Sequence, residues 1–358
     1  MNAALRFNPM VEDWSQVRNL LCVRLDSIGD VLMTTPAMRA FKESLPGCRL
    51  TLLTSSAGAA IAPFVPEIDE TIEFAAPWMK AASHHSPMTD LALAQSLAVK
   101  SFDAAAIFTV YSQNPLPAAY LCYLAGIPRR LAHCHENPYH LLTDWQPDPE
   151  PAKVIRHEVE RQLALAAAVG CHAADQRLSF SVPARAAERI HALGLGFPLV
   201  VVHPGASAPS RRYPPESFAR AMDLLSAKVG CQVVFTGDAH EIALVEGIRS
   251  AMATSSRSLA GQLSLAELGA LVDEADLVVS NNTGPAHIAA ALGTPLVDLY
   301  ALTNPQHTPW RVESRVLFHD VPCRNCYKSS CPAGHHDCLR RVEPERVADA
   351  ATELLRLP

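Results

Sequence analysis

The sequence predicts an α/β protein built of two doubly wound halves. Short aliphatic runs alternate with helical patterns along most of the chain, which is the signature of βαβ units and parallel sheets with helices on both faces. These runs fall into two sets separated by a pause. With 358 residues, 49% of them hydrophobic, 28 prolines and 16 glycines, the chain is long enough for two ordinary packed domains.

Taken in order, the first set of strands comprises "LLCVRL" (20–25), "RLTLLTS" (49–55) and "AAAIFTV" (104–110). A helix is expected from about Asp30 or Val31, and "APWMKAASHHSPMTD" (76–90) reads as a surface loop because turn-forming and polar residues cluster there. "VERQLALAAAVG" (159–170) reads as a helix, after which "SFSVPARAAERIHALGLGFP" (179–198) leads into a new strand. The second set is "PLVVVHPG" (198–205), "CQVVFTGD" (231–238), "ADLVVSNN" (275–282) and "PLVDLY" (295–300). "VEPERVADAATELLRL" carries a Glu-Pro helix start and an apolar stripe at Val347, Ala350, Ala351, Leu354 and Leu355, so it reads as an amphipathic closing helix. The expected organisation is an amino-terminal domain over 1–183, a carboxyl-terminal domain over 184–342 that includes a cysteine-rich loop at 323–338, and the closing helix over 343–358.

Bulk charge narrows the function. Charged residues make up 18% of the chain and the net charge is −6, unlike the uniformly basic footprint of a nucleic-acid binder. The opening "MNAALRFNPMVEDWSQVRNL" lacks the basic, apolar and small-residue order of a secretory signal, and no run approaches the roughly 18 apolar residues of a membrane span. The expected location is the cytoplasm, where the 10 cysteines are mostly reduced. Six of them (Cys22, Cys48, Cys122, Cys134, Cys171 and Cys231) are scattered and read as small buried hydrophobes.

Three stretches point to chemistry. In "RLDSIGDVLMTTPAMRAF" (24–41), Asp30 follows Gly29 where a strand gives way to a helix, in the crevice where open α/β sheets bind ligands. Asp30 caps the helix on one reading and is a general base on the other. "HPGASAPSRRYPPESF" (203–218) ends a strand in a turn whose backbone N–H groups, with Arg211 or Arg212, suit a phosphate; a solvated turn with two surface arginines is the alternative. "SNNTGPAHIAAALGTP" (280–295) places Thr283 and Gly284 at the start of a small-residue helix, with Pro285 where a missing N–H costs little. A lone histidine one turn into that helix, His287, is more often structural than catalytic. Two anion-binding signals in one half, both at strand carboxyl ends, argue for a diphosphate. Neither a G-x-G-x-x-G fingerprint nor a Walker P-loop is present, and no two aspartates stand two apart as in the metal sites of many sugar-nucleotide enzymes.

Together with "VVFTGDAHE", "GQLSLAELGALVDEADLVVSNNTGPAHIAAALGTPLVDLY" and the closing helix, these stretches resemble glycosyltransferase family 9, the ADP-heptose:lipopolysaccharide heptosyltransferases, over roughly residues 20–355. The resemblance implies a GT-B fold, two Rossmann-like domains facing across a cleft, with the acceptor on the amino-terminal half and the nucleotide sugar on the carboxyl-terminal half. It implies an inverting transfer that needs no metal, with Asp30 as the base. On the donor side it matches Arg211 to the phosphate-binding cation with Ser207 and the Thr283-Gly284 backbone beside it, and Glu241 to the carboxylate that holds the ribose hydroxyls; Arg212, Asn282 and His287 are further candidate donor contacts. Residues 261–263, ending at Leu263, border the adenine. Asn282 stands where members often have aspartate and Asn304 where "LFGPTDP" has one; both changes touch the donor side.

Arg24, Ser27 and the "GIPRRLAH" arginines Arg129 and Arg130 are the candidate acceptor contacts, with surface arginines the plainer reading of all three arginines. Four thiols in sixteen residues, Cys323, Cys326, Cys331 and Cys338, open with C-x2-C and suit a structural zinc or iron ion; cysteines packed in a loop, or disulfide or redox use, are the alternatives. The leading expectation is transfer of heptose from ADP-heptose to a lipopolysaccharide core acceptor at the cytoplasmic face of the inner membrane, with peripheral membrane contact, no nucleic-acid partner and no cofactor in catalysis. The alternatives are another nucleotide sugar, a protein or capsule acceptor, and a non-enzymatic nucleotide- or metal-sensing module.

Overall fold

The computed structural model describes residues 13–80 and 86–355. The chain divides into two compact units, Met1–Ser179 and Phe180–Pro358.

The first unit runs β1 (Asn19–Arg24), α1 (Ile28–Ser44), β2 (Arg49–Thr54), α2 (Ser56–Ile61), β3 (Glu70–Glu73), α3 (Pro87–Lys100), β4 (Ala104–Ile107), α4 (Leu116–Leu124), β5 (Arg129–Cys134), β6 (Asp144–Pro147) and α5 (Glu158–Ala167). Its six strands are all parallel and lie in the order β3-β2-β1-β4-β5-β6. The central strands β1 and β4 are apolar and buried because helices cover both faces, whereas the edge strands β3 and β6 keep exposed or half-buried residues. The stretch expected as one loop at 76–90 is helical from Pro87 onward. Ser86 accepts a hydrogen bond from the Met88 N–H and Pro87 occupies the first turn, a start signal concealed among turn-forming residues.

The second unit runs α6 (Ala184–His191), β7 (Leu199–His203), α7 (Pro215–Val229), β8 (Gln232–Phe235), α8 (Ile242–Ala251), β9 (Arg257–Ser258), α9 (Leu265–Glu274), β10 (Leu277–Asn281), α10 (Gly284–Leu292), β11 (Leu296–Leu299), β12 (Ser314–Leu317), α11 (Asp337–Arg340) and α12 (Pro344–Leu355). The sheet order β12-β11-β10-β7-β8-β9 is again all parallel and, counted within the unit, repeats the first. Helix α7 ends at Gly230 with φ +68°, the left-handed position glycine fills without strain. The amphipathic α12 buries Val347, Ala348, Ala351 and Leu354 in the same core as Phe218 and Met222 of α7, and the Tyr213 hydroxyl donates to the Val342 carbonyl at 2.8 Å just ahead of it.

Both sheets therefore have the strand order of the dinucleotide-binding fold, and each reverses direction once: between β1 and β4 in the first unit, and between β7 and β10 in the second. Diverging connections leave a crevice at the carboxyl ends of those strands, and that is where such sheets bind ligands.

Candidate active site

In the first unit the crevice is organised by one arginine. Arg24, the last residue of β1, is fully buried and meets three carboxylates: Asp26 Oδ2 from Nε at 3.1 Å, Asp30 Oδ1 from Nη2 at 3.0 Å and Glu158 Oε1 from Nη1 at 2.8 Å. Asp30 sits in the first turn of α1, and its other oxygen, Oδ2, accepts from the Ser27 N–H at 3.0 Å and the Ser27 hydroxyl at 2.6 Å. The capping role and a placed carboxylate thus coexist in one side chain. Glu158 arrives on α5, whose Arg161 and Gln162 donate to the Thr109 carbonyl beyond β4 at 3.0 and 3.1 Å. Burial pushes the Glu158 carboxyl above its ordinary value against the pull of Arg24. Burial likewise pushes Asp26 up to about 6, with Asp30 adding to the rise and Arg24 opposing it. The Gln113 amide donates to Asp26 Oδ1 at 2.6 Å.

The candidate acceptor arginines are placed differently from the sequence expectation. Arg24 has no exposed surface, and each guanidinium nitrogen faces a carboxylate, Asp30 among them. Arg129 and Arg130 open strand β5 instead of lying in a loop. Through β4 they align with Leu20 and Leu21 at the start of β1, about four residues or roughly 13 Å from its carboxyl end. Arg130 is buried and donates to the carbonyls of Leu141 and His140 at 2.8 Å, and Arg129 pairs with Asp144 at 3.3 Å. Ser27 is exposed beside Asp30.

The second crevice is a matter of backbone. Asn281 at the end of β10 joins its two walls: its carbonyl oxygen accepts from the Tyr213 N–H at 3.0 Å and its amide donates to the Pro204 carbonyl at 2.7 Å. The turn after β7 is thereby fixed against the start of α10, where Thr283 is the N-cap and the first N–H groups have no partner within the helix. The two arginines differ. Arg212 donates to the Ala206 carbonyl at 2.8 Å and braces the turn. The half-buried Arg211 makes no side-chain hydrogen bond or ion pair among the described residues, although it lies close enough to Tyr300 to act on it electrostatically. Ser207 is exposed in the same turn, and His287 is buried in α10.

Glu241 Oε2 accepts from the Asp238 N–H at 2.9 Å and lies 3.8 Å from His203 Nε2 at the end of β7. Its carboxylate occupies the space a side chain at Gly205 would need, 1.8 Å from an added Cβ. Half-buried Leu263 follows Gly261, whose N–H donates to the Gly237 carbonyl at 2.9 Å and whose φ is +70°. Asn282 turns inward: its amide donates to Asp298 Oδ2 at 3.1 Å and to the His307 carbonyl at 2.8 Å. Fully buried Asp298 is pushed up to about 8 by burial, with the Asn282 hydrogen bond opposing.

The model of glycosyltransferase family 9 (heptosyltransferase) matches residues 91–336. The chain belongs to glycosyltransferase family 9. It is 27% identical to lipooligosaccharide heptosyltransferase 2 of Haemophilus influenzae across 94% of its own length and 99% of that protein. A family 9 structure from Veillonella parvula superposes with a TM-score of 0.80 at 22% identity, covering 97% of this chain and 99% of that one. The Escherichia coli ADP-heptose heptosyltransferase II structure superposes at 0.73 and 25%, covering 94% and 98%. This family 9 glycosyltransferase has the GT-B architecture, each half built on its own Rossmann-like sheet.

In this glycosyltransferase the cysteine-rich segment is a bracing loop. Among the described residues no group of three or more His, Cys, Asp or Glu side chains that could hold a metal ion is found, although Cys331, Cys323 and Cys326 lie close enough to Cys338 to act on it electrostatically. Cys323 is exposed with its sulfur 3.7 Å from His335 Nε2, and all four thiols are free. Backbone N–H groups of His336, Ala333, Gly334 and His335 hold the Cys331 thiol below its ordinary value. The loop's carbonyls at Lys328 and Ser329 accept from the Ser210 hydroxyl and N–H, at 2.8 and 3.1 Å, which ties it to the Arg211 turn. Of the scattered cysteines, five are buried and Cys231 is half-buried against the second core. Sequence reasoning missed Asp26, Glu158 and Asp298. Asp26 lies four residues before Asp30 in the same strand-to-helix stretch, but Glu158 is brought from 134 residues away and left no local signal.

Proposed function

We infer that this chain transfers a heptosyl group from ADP-heptose to a lipopolysaccharide core acceptor with inversion, using Asp30 as general base and no metal ion. The acceptor hydroxyl gives its proton to Asp30 as its oxygen bonds to the anomeric carbon, and the bond from that carbon to the β-phosphate oxygen breaks to release ADP. One observation carries the reading: Asp30 stands at the switch point of the first sheet with one oxygen paired to buried Arg24 and the other to Ser27, so its carboxyl group is held in place. Charge developing on the departing diphosphate is met by Arg211 and the start of α10, with the Ser207 turn alongside. Glu241 takes the ribose hydroxyls, and Leu263 borders the adenine.

The likeness to heptosyltransferases supports the donor and acceptor classes. No helix among the described residues is long and apolar enough to cross a membrane. Exposed Tyr120, Tyr123 and Leu124 on α4 support peripheral contact with the cytoplasmic face of the inner membrane.

Two measurements test the proposal. Calorimetric titration with ADP-heptose beside UDP-, GDP- and other ADP-sugars should show selective binding of ADP-heptose; preference for another nucleotide sugar overturns the heptose assignment. Asp30→Asn should lower kcat at least about a hundredfold with donor affinity nearly unchanged, as expected on loss of a general base. Normal turnover in that variant removes Asp30 from the mechanism.

A further inference from the structure

A cavity of about 460 Å³ opens in the first unit beside the carboxyl ends of β1 and β4. Its lining includes Asp26, Trp78, Phe108, Ser112, Gln113 and Asn114. That mixture is distinctive: an aromatic ring, a carboxylate and short polar side chains, with no cluster of cations. Trp78 is half-buried and held edge-on by Phe74, with ring centroids 5.6 Å apart, so it presents a fixed apolar surface. An aromatic plane beside amide and carboxylate groups suits a sugar ring, whose C–H face packs on the aromatic while its hydroxyls hydrogen-bond around the rim.

Asp26 links this cavity to the reaction centre. It is paired to Nε of Arg24 while Asp30 is paired to Nη2 of the same guanidinium. A hydroxyl-bearing ligand in the cavity and the base proposed above therefore share one rigid cation. Among the described residues Asp26 Oδ2 faces Arg24 and Oδ1 accepts from Gln113, and a carboxylate oxygen has capacity for a second partner.

Resting on the function inferred above, we propose that this cavity is the sugar subsite for the acceptor, in which Trp78 supports the ring and Asp26 accepts a hydrogen bond from a hydroxyl next to the one that reacts at Asp30. Asp26 is then a positioning and specificity residue. Arg24, Asp30 and Glu158 are the titratable groups that act on it, Lys80 lines the same cavity, and Gln113 is its neutral partner. Because burial sets the Asp26 carboxyl at about 6, acceptor binding weakens as pH falls through that value and Asp26 gains a proton.

The test is steady-state kinetics at saturating ADP-heptose with a deacylated lipopolysaccharide core oligosaccharide varied, together with calorimetric ADP binding. Asp26→Asn is expected to raise the acceptor KM about tenfold or more, with a smaller change in kcat and ADP affinity retained. The rise of acceptor KM below pH about 6 should disappear in the same variant. Trp78→Ala should also raise KM, and it decides the matter if Asp26→Asn fails to fold. Acceptor KM unchanged in both variants overturns the subsite. So does a fall in kcat for Asp26→Asn as deep as that for Asp30→Asn, which would make Asp26 part of the proton transfer itself. Wild-type protein that binds ADP-heptose yet transfers nothing to the oligosaccharide overturns the acceptor reading first, and the subsite with it.

Discussion

Arg24 shows how one buried cation can hold several anions that would otherwise repel. Asp26, Asp30 and Glu158 come from a strand end, a helix start and a distant helix, and only the guanidinium makes their convergence tolerable. Arg24→Met should therefore destabilise the protein by about 3–5 kcal/mol, the cost of uncompensated buried charge, with urea unfolding as the measurement. A variant as stable as the parent would mean that the carboxylates have taken up protons and share them. Arg211 presents the opposite case, a half-buried cation whose side chain makes no hydrogen bond or ion pair among the described residues. Arg211→Ala should weaken ADP binding tenfold or more by calorimetry while leaving stability close to the parent's, and unchanged affinity would refute its role at the phosphates.

At the level of elements, a departure from the family pattern acquires a structural reason. Asn282 lies just past β10 and reaches inward to Asp298 of neighbouring β11, so an aspartate at 282 would lose the hydrogen bonds that the Asn282 amide donates to Asp298 and to the His307 carbonyl. Asp298 also gives the fold a pH dependence with a definite sign. Its native carboxyl titrates at about 8 against an ordinary 3.8. Between those values the unfolded chain is ionised while the native one keeps its proton, so this group's contribution is complete below pH about 4, declines as pH rises to about 8 and is level beyond. Asp298→Asn should then gain on the parent by an order of 2–4 kcal/mol between pH 5 and pH 8 in urea unfolding, and a constant gap would remove Asp298 as the cause.

The same scale explains which elements were legible. Runs such as "LLCVRL" and "ADLVVSNN" announce strands because parallel strands buried on both faces are almost continuously apolar. β3, β6 and β12 lie at sheet edges, where most residues are at best partly buried and that signal dissolves. β5 is interior yet starts with two arginines whose burial depends on carbonyls and an aspartate that local sequence does not reveal. The site divides in the same way. The placement of Asp30, Arg211 and Thr283 just past sheet strands was readable because turn chemistry after a strand is local. The partners that hold Asp30, and the inward turn of Asn282, are tertiary and left no pattern.

For the molecule as a whole, the repeated strand order means that one chassis serves twice, with the chemistry supplied by the turn and helix start beyond each central strand. The first crevice sets three carboxylates against one guanidinium, a formal charge of −2. The second offers helix-start N–H groups and Arg211. A nucleotide diphosphate that strayed to the first would meet its own sign at close range, while an uncharged sugar ring would meet no such barrier. On the function proposed above, the two crevices would sort donor from acceptor by polarity before any detailed fit is tested, and the buried arginine that steadies Asp30 would also set how strongly the wrong guest is turned away.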